Sequence, residues 1–469
     1  MQALDLPITA LRELLDARIV SSLDLAEACI ARTQAQQAVN AWVSFDPQAL
    51  RAQAREADGR LAAGERLPLL GIPIALKDNI EALGFPCGAG TASLSGKAPM
   101  ADAVLVSRLK AAGAILAGKV GMHELAFGAT THNAVTGAVR NPWDHQRIPG
   151  GSSGGSGAVM GARLVPASIG TDTGGSVRVP AALCGVTGFR PTVGRVPGEG
   201  IAPISRTRDT AGPLAHTVAD CALLDAVMTE APPLPLETIP LKGIRIGVPR
   251  AFFWSDLESE LRTVAEKALD TLRRAGAELV EVDLPGIADL NANASFPVAL
   301  YEFVRDMREY LQVRQRGVTL EQMIAQVGSP DVQGAVGTLL SGGGIPEEVY
   351  QGALRARGEL QALYAKTFEA NRLEALVFPT TPRTAALIGQ DETVELGGKQ
   401  QPTFGTFIRN TDPGSNASLP GVSVPLGLAH GLPVGLALDG PIHTDRRLLA
   451  IAQAFQAALP SPPRIVIPT

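Results

Sequence analysis

The chain has 469 residues, a formal net charge of −5 and 45% hydrophobic residues. That apolar share offers enough burial to offset the entropy of ordering the chain, which excludes a disordered protein. The slight acidity, with only 4% aromatic residues, argues against a nucleic-acid partner held through phosphates or stacked bases.

Residues 8–63 read as helices. Thr9 is placed to cap the first, Ser21 or Ser22 a second carrying Leu23, Leu25, Ala26 and Ile30, and Leu50 to Leu61 forms a third. The short apolar run Gly71 to Leu76 predicts a buried strand with Lys77 at its C-terminal end. An amphipathic helix over 102–112 and a strand over Ala114 to Ala117 follow, and this alternation is the mark of α/β architecture. Residues 137–213 are dense in turn residues, with a short helix expected over Ala158 to Ala162 and a strand over Leu164 to Ile169. Gly243 to Val248 and Glu278 to Val282 read as strands around a helix over 257–275. From 286 to 372 the pattern is mainly helical, an excursion expected to help build the substrate pocket. Leu376 to Phe378 returns to strand, Val422 to Val424 and Val434 to Leu438 read as a pair around His430-Gly431, and a helix over 446–458 closes the chain. With no repeats and no long linker, residues 1–469 are expected to form one α/β domain.

Cys29, Cys87, Cys184 and Cys221 lie far apart without a C-x-x-C spacing and read as reduced thiols of an intracellular protein. The six histidines form no H-x-x-x-H or H-x-H pair, so no histidine-based metal centre is expected. The N-terminus lacks a basic region and carries Asp5 and Glu13, unlike a signal peptide, and no 18-residue apolar run exists. A cytoplasmic protein without membrane contact is the expectation.

Three motifs compete for attention. Gly113 to Lys119 mimics a phosphate loop, but Val120 stands where a metal-binding hydroxyl belongs and the spacers are strand material. Ser107-x-x-Lys110 matches S-x-x-K, yet the chain has no K-T-G and the pair lies on an ordinary helix. Gly151-Ser-Ser153-Gly-Gly155 matches a nucleophile elbow, which needs a strand directly before it; Arg147-Ile-Pro-Gly150 argues for a loop instead. His430 or His443 would have to complete that triad.

Two serine–glycine segments stand apart: 149–156, containing Ser152 and Ser153, and 170–180, containing Asp172, Thr173, Gly174, Gly175, Ser176 and Arg178. Glycines let consecutive N–H groups converge on one point, and donors beside a serine hydroxyl are the layout of an oxyanion hole. A serine needs a base, and no histidine is near in sequence. A lysine serves if burial keeps it neutral, and Lys77 is the candidate. From the residues alone, a Ser/Lys hydrolase and plain loops with a solvated lysine both remain open.

The segments G-G-S-S-G-G-S (150–156) and G-T-D-T-G-G-S-V-R-V-P (170–180) resemble the amidase signature family, as do L-K-D-N (76–79), G-M-H-E-L-A-F-G (121–128), R-N-P-W (140–143) and C-G-V-T-G-F-R-P-T (184–192). Ser152 and Ser176 are 24 positions apart, as that pattern demands. Arg190 replaces the family's commonest lysine, and Gly121 stands where many members have Asn. The resemblance covers nearly the whole chain. It implies an α/β/α sandwich around a central mixed, mostly parallel sheet, and a Ser–cis-Ser–Lys triad: Ser176 as nucleophile, Ser152 as bridging serine on a cis peptide bond, Lys77 as base. It implies that Thr173, Gly174, Gly175 and Ser176 lend N–H groups to the oxyanion. Ser153, Asp172 and Arg178 would support the loops, Ala126, Phe127 and Gly128 would line the substrate site, and no cofactor or metal would take part.

Residues 294–303, 388–391 and 409–421 resemble the indoleacetamide and mandelamide hydrolase branch. That implies small arylalkyl amides as substrates. Aryl carbamates (urethanes), anilides or esters cleaved by the same triad are an alternative, and a glutaminase subunit of a tRNA-dependent amidotransferase is another. A silent binding protein is disfavoured because all three triad positions are filled. A homodimer is compatible with this reading.

Overall fold

The computed structural model describes residues 3–460 and residue 465. Among these described residues, eleven strands make the central sheet: β1 (Trp42–Phe45), β2 (Pro73–Lys77), β3 (Ile115–Val120), β4 (Ala167–Asp172), β5 (Thr187–Arg190), β6 (Thr210–Ala215), β7 (Arg245–Pro249), β8 (Glu278–Val282), β9 (Ala375–Pro379), β10 (Gly421–Ala429) and β11 (Leu432–Asp439). Their spatial order is β1-β3-β2-β4-β6-β5-β10-β11-β9-β7-β8. Helices flank this sheet, as the helix–strand alternation predicts for an α/β chain.

The sheet is mixed. Parallel ladders lie toward its two flanks, β3-β2-β4 and β9-β7-β8. Between them, from β4 through β6, β5, β10 and β11 to β9, every neighbour is antiparallel, as is the edge strand β1. Parallel pairs need long crossovers, and helices supply them on the flanks. In the centre, β10 and β11 are joined by only His430 and Gly431, at φ 52° and 75°. A two-residue turn with both φ positive makes an antiparallel hairpin.

The N-terminal helices are Ile8–Asp16, Ser22–Ala35 and Pro47–Ala62. The first begins after Pro7, so Thr9 sits inside its first turn and is not its cap. Ser21 caps the second in a reciprocal box with Asp24. Strand β1, half-buried and four residues long, gives no sequence signal because it carries no resolvable period between two helices.

Two wholly buried helices, α1 (Gly154–Gly161) and α2 (Arg178–Cys184), each start at or just after a serine of the serine–glycine segments. α1 starts four residues before the helix expected at Ala158 to Ala162, because its first turn is glycine-rich and lacks an apolar stripe. The next strand is displaced likewise, running over β4 and not from Leu164. Within 286–372, α3 (Ile287–Val313) packs along α4 (Glu347–Asn371), with short helices Leu320–Ile324 and Pro330–Val336 between. Tyr301 and Tyr350 stack across the long pair, with ring centroids 4.0 Å apart. Among the described residues no helix is long and apolar enough to cross a membrane.

Candidate active site

Strand ends and helix starts converge on one buried point. β2 delivers Lys77, the neighbouring β4 delivers Thr171 and Asp172, and the starts of α1 and α2 bring Ser152–Ser153 and Ser176. Lys77 is completely buried, and its Nζ donates to Ser152 Oγ at 2.7 Å and to Thr171 Oγ1 at 2.7 Å. Asn79 Nδ2 holds Thr171 Oγ1 from the other side at 3.2 Å. No carboxylate lies within ion-pair distance of this amine among the described residues. Burial therefore dominates and pushes the Lys77 ammonium down to about 7, against the more distant pull of Asp172 and Asp209.

The peptide bond between Gly151 and Ser152 is cis. The Ser152 carbonyl accepts His123 N–H at 3.0 Å, and Ser153 N–H donates to the Ser176 carbonyl at 3.3 Å, which ties the two serine loops together. Ser176 keeps 8% of its surface exposed, unlike the fully buried Ser152 and Ser153. Ser153 Oγ donates to the Thr171 carbonyl at 3.0 Å and accepts its N–H at 3.2 Å. That hydroxyl is a structural strut, and the segment before it is loop. A nucleophile elbow here thus lacks both its strand and a free serine. His430 pairs instead with Glu260 at 2.8 Å, on the surface.

The loop carrying Ser176 is organised by Asp172. Its carboxylate accepts Gly175 N–H at 2.7 Å, Val177 N–H at 3.1 Å, Arg178 Nε at 3.2 Å and Arg190 Nη1 at 3.0 Å. Burial alone would raise this acid, but Arg178 and Arg190 override it and hold Asp172 well below the usual carboxylate range. The expected oxyanion set needs correcting at Gly175. Its N–H is spent on Asp172, so it does not serve as a free oxyanion donor; Thr173, Gly174 and Ser176 are the remaining candidates. Gly175 is required here by space and backbone: its φ is 137°, and any Cβ at this position would collide with Thr411 Oγ1.

Several residues at the site carry no signal in the sequence. Asp209, raised by burial, accepts Thr173 Oγ1 at 2.5 Å and the N–H groups of Ile204 and Ser205. Arg208 donates to the Thr173 carbonyl at 3.2 Å, to Asp412 at 2.6 Å and to the Ser295 carbonyl at 2.7 Å, so it ties the loop carrying Ser176 to α3. Thr171 lies inside one of the serine–glycine segments and Asp412 inside the stretch 409–421, but Arg208 and Asp209 sit far away in sequence without a local pattern.

Ala126 closes a turn with positive φ at Leu125 and Ala126, and Phe127 and Gly128 follow it. Ala126 lines a cavity of about 400 Å³ together with Asn79, Thr171, Thr173 and Asp209. Phe127 is half-buried and packs edge-on against Phe303 of α3, centroids 4.9 Å apart. Gly128 lies against the His123 ring, too close for any Cβ. The other look-alike motifs resolve as structure: Lys119 lies in β3 beside Asp78 at 3.7 Å, and Lys110 pairs with Asp102 at 2.8 Å.

The family model described as Amidase matches residues 24–449. The chain belongs to the amidase family. This amidase is 44% identical over 458 residues to an indoleacetamide hydrolase of Agrobacterium vitis, covering 97% of each chain. It is 41% identical over 481 residues to a mandelamide hydrolase of Pseudomonas putida, covering 98% of this chain and 93% of that one. A crystal structure of an amidase superposes with a TM-score of 0.86 at 34% identity, covering 97% of this amidase and 100% of that chain.

Proposed function

We propose that this amidase hydrolyses small arylalkyl amides through a Ser176–Ser152–Lys77 relay. The observation that carries the reading is a fully buried amine 2.7 Å from the Ser152 hydroxyl, with a pKa pushed to about 7. A neutral amine can accept a proton, whereas a solvated lysine near pH 7 cannot.

Ser152 passes its proton to Lys77 Nζ and takes the proton of Ser176. Ser176 Oγ then bonds to the amide carbon, and the carbonyl oxygen becomes an oxyanion facing the N–H groups of Thr173, Gly174 and Ser176. The relay returns that proton to the amide nitrogen, the C–N bond breaks, and ammonia or an amine leaves the acyl-enzyme. Water attacks next; its proton travels the same wire, and the carboxylate departs with Ser176 restored. Asp172, Arg178 and Ser153 hold the loops, and Ala126, Phe127 and Gly128 border the substrate. The substrate class follows from the likeness to the indoleacetamide and mandelamide hydrolases, and the cytoplasm is the proposed location.

The test is a panel of phenylacetamide, indole-3-acetamide, mandelamide, an aryl carbamate and glutamine, with the isolated chain. Turnover of the first three, abolished in Ser176→Ala, is expected, and a fluorophosphonate should label Ser176. Turnover of glutamine alone would refute the substrate class, and label on Ser153 would refute the nucleophile.

A further inference from the structure

The backbone that carries Ser152 is held from the segment 121–132. The Gly150 carbonyl accepts Thr131 Oγ1 at 2.8 Å, and Gly154 N–H donates to the same Thr131 oxygen at 3.2 Å. The Ser152 carbonyl accepts His123 N–H at 3.0 Å. Thr131 therefore grips the chain on both sides of Ser152, and His123 grips Ser152 itself.

The His123 ring joins these grips. Its Nδ1 accepts Thr131 N–H at 3.2 Å. A backbone amide only donates, so Nδ1 is the acceptor and the ring proton sits on Nε2. Thr130 Oγ1, 3.3 Å from Nδ1, gives its own proton to Asp391 at 2.8 Å and leaves that acceptor to Thr131. Nε2 stands 2.9 Å from the Asp331 carboxylate, which comes from the short helix Pro330–Val336. Glu124 holds the chain just ahead of that helix, accepting the N–H groups of Gly328 and Ser329 at 3.1 Å and 2.8 Å. The ring is fully buried, and Gly128 lies against it.

We infer that His123 is a positioning residue for Ser152, oriented in turn by Asp331; the assignment rests on the proposed relay. Its amide fixes the Ser152 carbonyl and its ring fixes Thr131, so this one residue sets where Ser152 Oγ lies between Lys77 and Ser176. A proton wire tolerates little looseness, since donor and acceptor must stay within about 2.6–3.2 Å. A displacement of about 1 Å can cost about a hundredfold in rate. None of the bonds described for His123 reaches the Lys77 amine or a relay hydroxyl, so its effect is on position. The helical excursion thus acts on the relay through Asp331.

His123→Leu and His123→Asn have nearly the same shape, but only Asn carries an oxygen where Nδ1 stands. Each is compared with wild type for kcat and KM on phenylacetamide and for the rate at which a fluorophosphonate labels Ser176, with Tm alongside. Labelling needs no substrate, so it reads the relay whichever amide the enzyme takes. His123→Leu is expected to lower kcat about tenfold to a hundredfold, to change KM less than about threefold, and to slow labelling in proportion to kcat. His123→Asn is expected to be about threefold or more faster than His123→Leu in both readouts. Asp331→Ala removes the ring's outer partner at a partly exposed position; it is expected to lower kcat about threefold to tenfold, and it decides the matter if His123→Leu does not fold. Wild-type kcat and labelling in His123→Leu or in Asp331→Ala overturn the inference, as does a lowered Tm without slower turnover, or an Asn variant no faster than the Leu variant. Ser152→Ala separates the two failures. If it keeps wild-type kcat, the proposed relay falls and the inference with it; if it is inactive while His123→Leu is unimpaired, the inference alone falls.

Discussion

Replacing Lys77 by Met should abolish turnover and yet change stability in a pH-dependent, predictable way. The ammonium lies at about 7 in the folded protein, against its ordinary 10.5. Between those limits the unfolded chain holds a proton that the folded chain does not, so wild-type stability rises with pH there. At about pH 7 the penalty for keeping the amine neutral is about 4 kcal/mol; by about pH 9.5 it falls to about 1 kcal/mol. Met has similar length and no proton to lose, so it escapes the penalty. It also leaves Ser152 and Thr171 short of a partner, at about 1–3 kcal/mol each, a cost that does not vary with pH. The absolute difference between variants mixes these effects, but its change with pH isolates the lysine. Wild type should gain about 3 kcal/mol on Lys77→Met between about pH 7 and about pH 9.5. Denaturant unfolding at several pH values measures this. Parallel stability curves for the two proteins would mean that the lysine keeps its proton when folded, and Lys77 could not then be the base.

The same titration fixes the pH–rate profile: kcat/KM on phenylacetamide should rise with pH through about 7 and level off above it, since only the neutral amine accepts the Ser152 proton. A profile flat from about pH 6 to about pH 9 would contradict a lysine base. Gly128→Ala should lower stability by about 1–3 kcal/mol, read as a drop in Tm, because the added methyl runs into the buried His123 ring. If that substitution is neutral in Tm, the loop carrying Ala126 and Phe127 is softer than its packing implies.

Local features are the legible ones. β8 forms at the bounds its sequence predicts, because period and turn residues report on short stretches. The hairpin at His430-Gly431 announces itself through a glycine between two apolar runs. The antiparallel centre of the sheet is not legible, since strand direction depends on which segments become neighbours. Asp209 and Arg208 stay hidden for a related reason. Their partners, Thr173, Asp412 and Ser295, lie on segments that meet only after folding. Gly175 misleads in the opposite sense: it stands in the expected loop, but the carboxylate three residues before it claims its N–H.

Two lysines make the limit of sequence reading concrete. Lys77 and Lys119 each follow an apolar run, I-P-I-A-L and A-I-L-A-G, and their strands pair side by side in β2 and β3. Both side chains are fully buried. By composition and pattern they are near equivalents, and nothing local distinguishes a base from a structural cation. The difference is the partner. Lys119 sits 3.7 Å from the Asp78 carboxylate and donates to the Pro86 carbonyl at 3.2 Å, the surroundings of a buried ion pair. Lys77 meets two hydroxyls, which hydrogen-bond to an amine without demanding that it be charged. Burial is common to both; the lack of an adjacent carboxylate among the described residues is what lets burial push the Lys77 ammonium down to about 7, as the proposed base requires. That lack is a property of the segments that surround the amine, and it becomes visible only when β4 and the two serine loops are set beside β2.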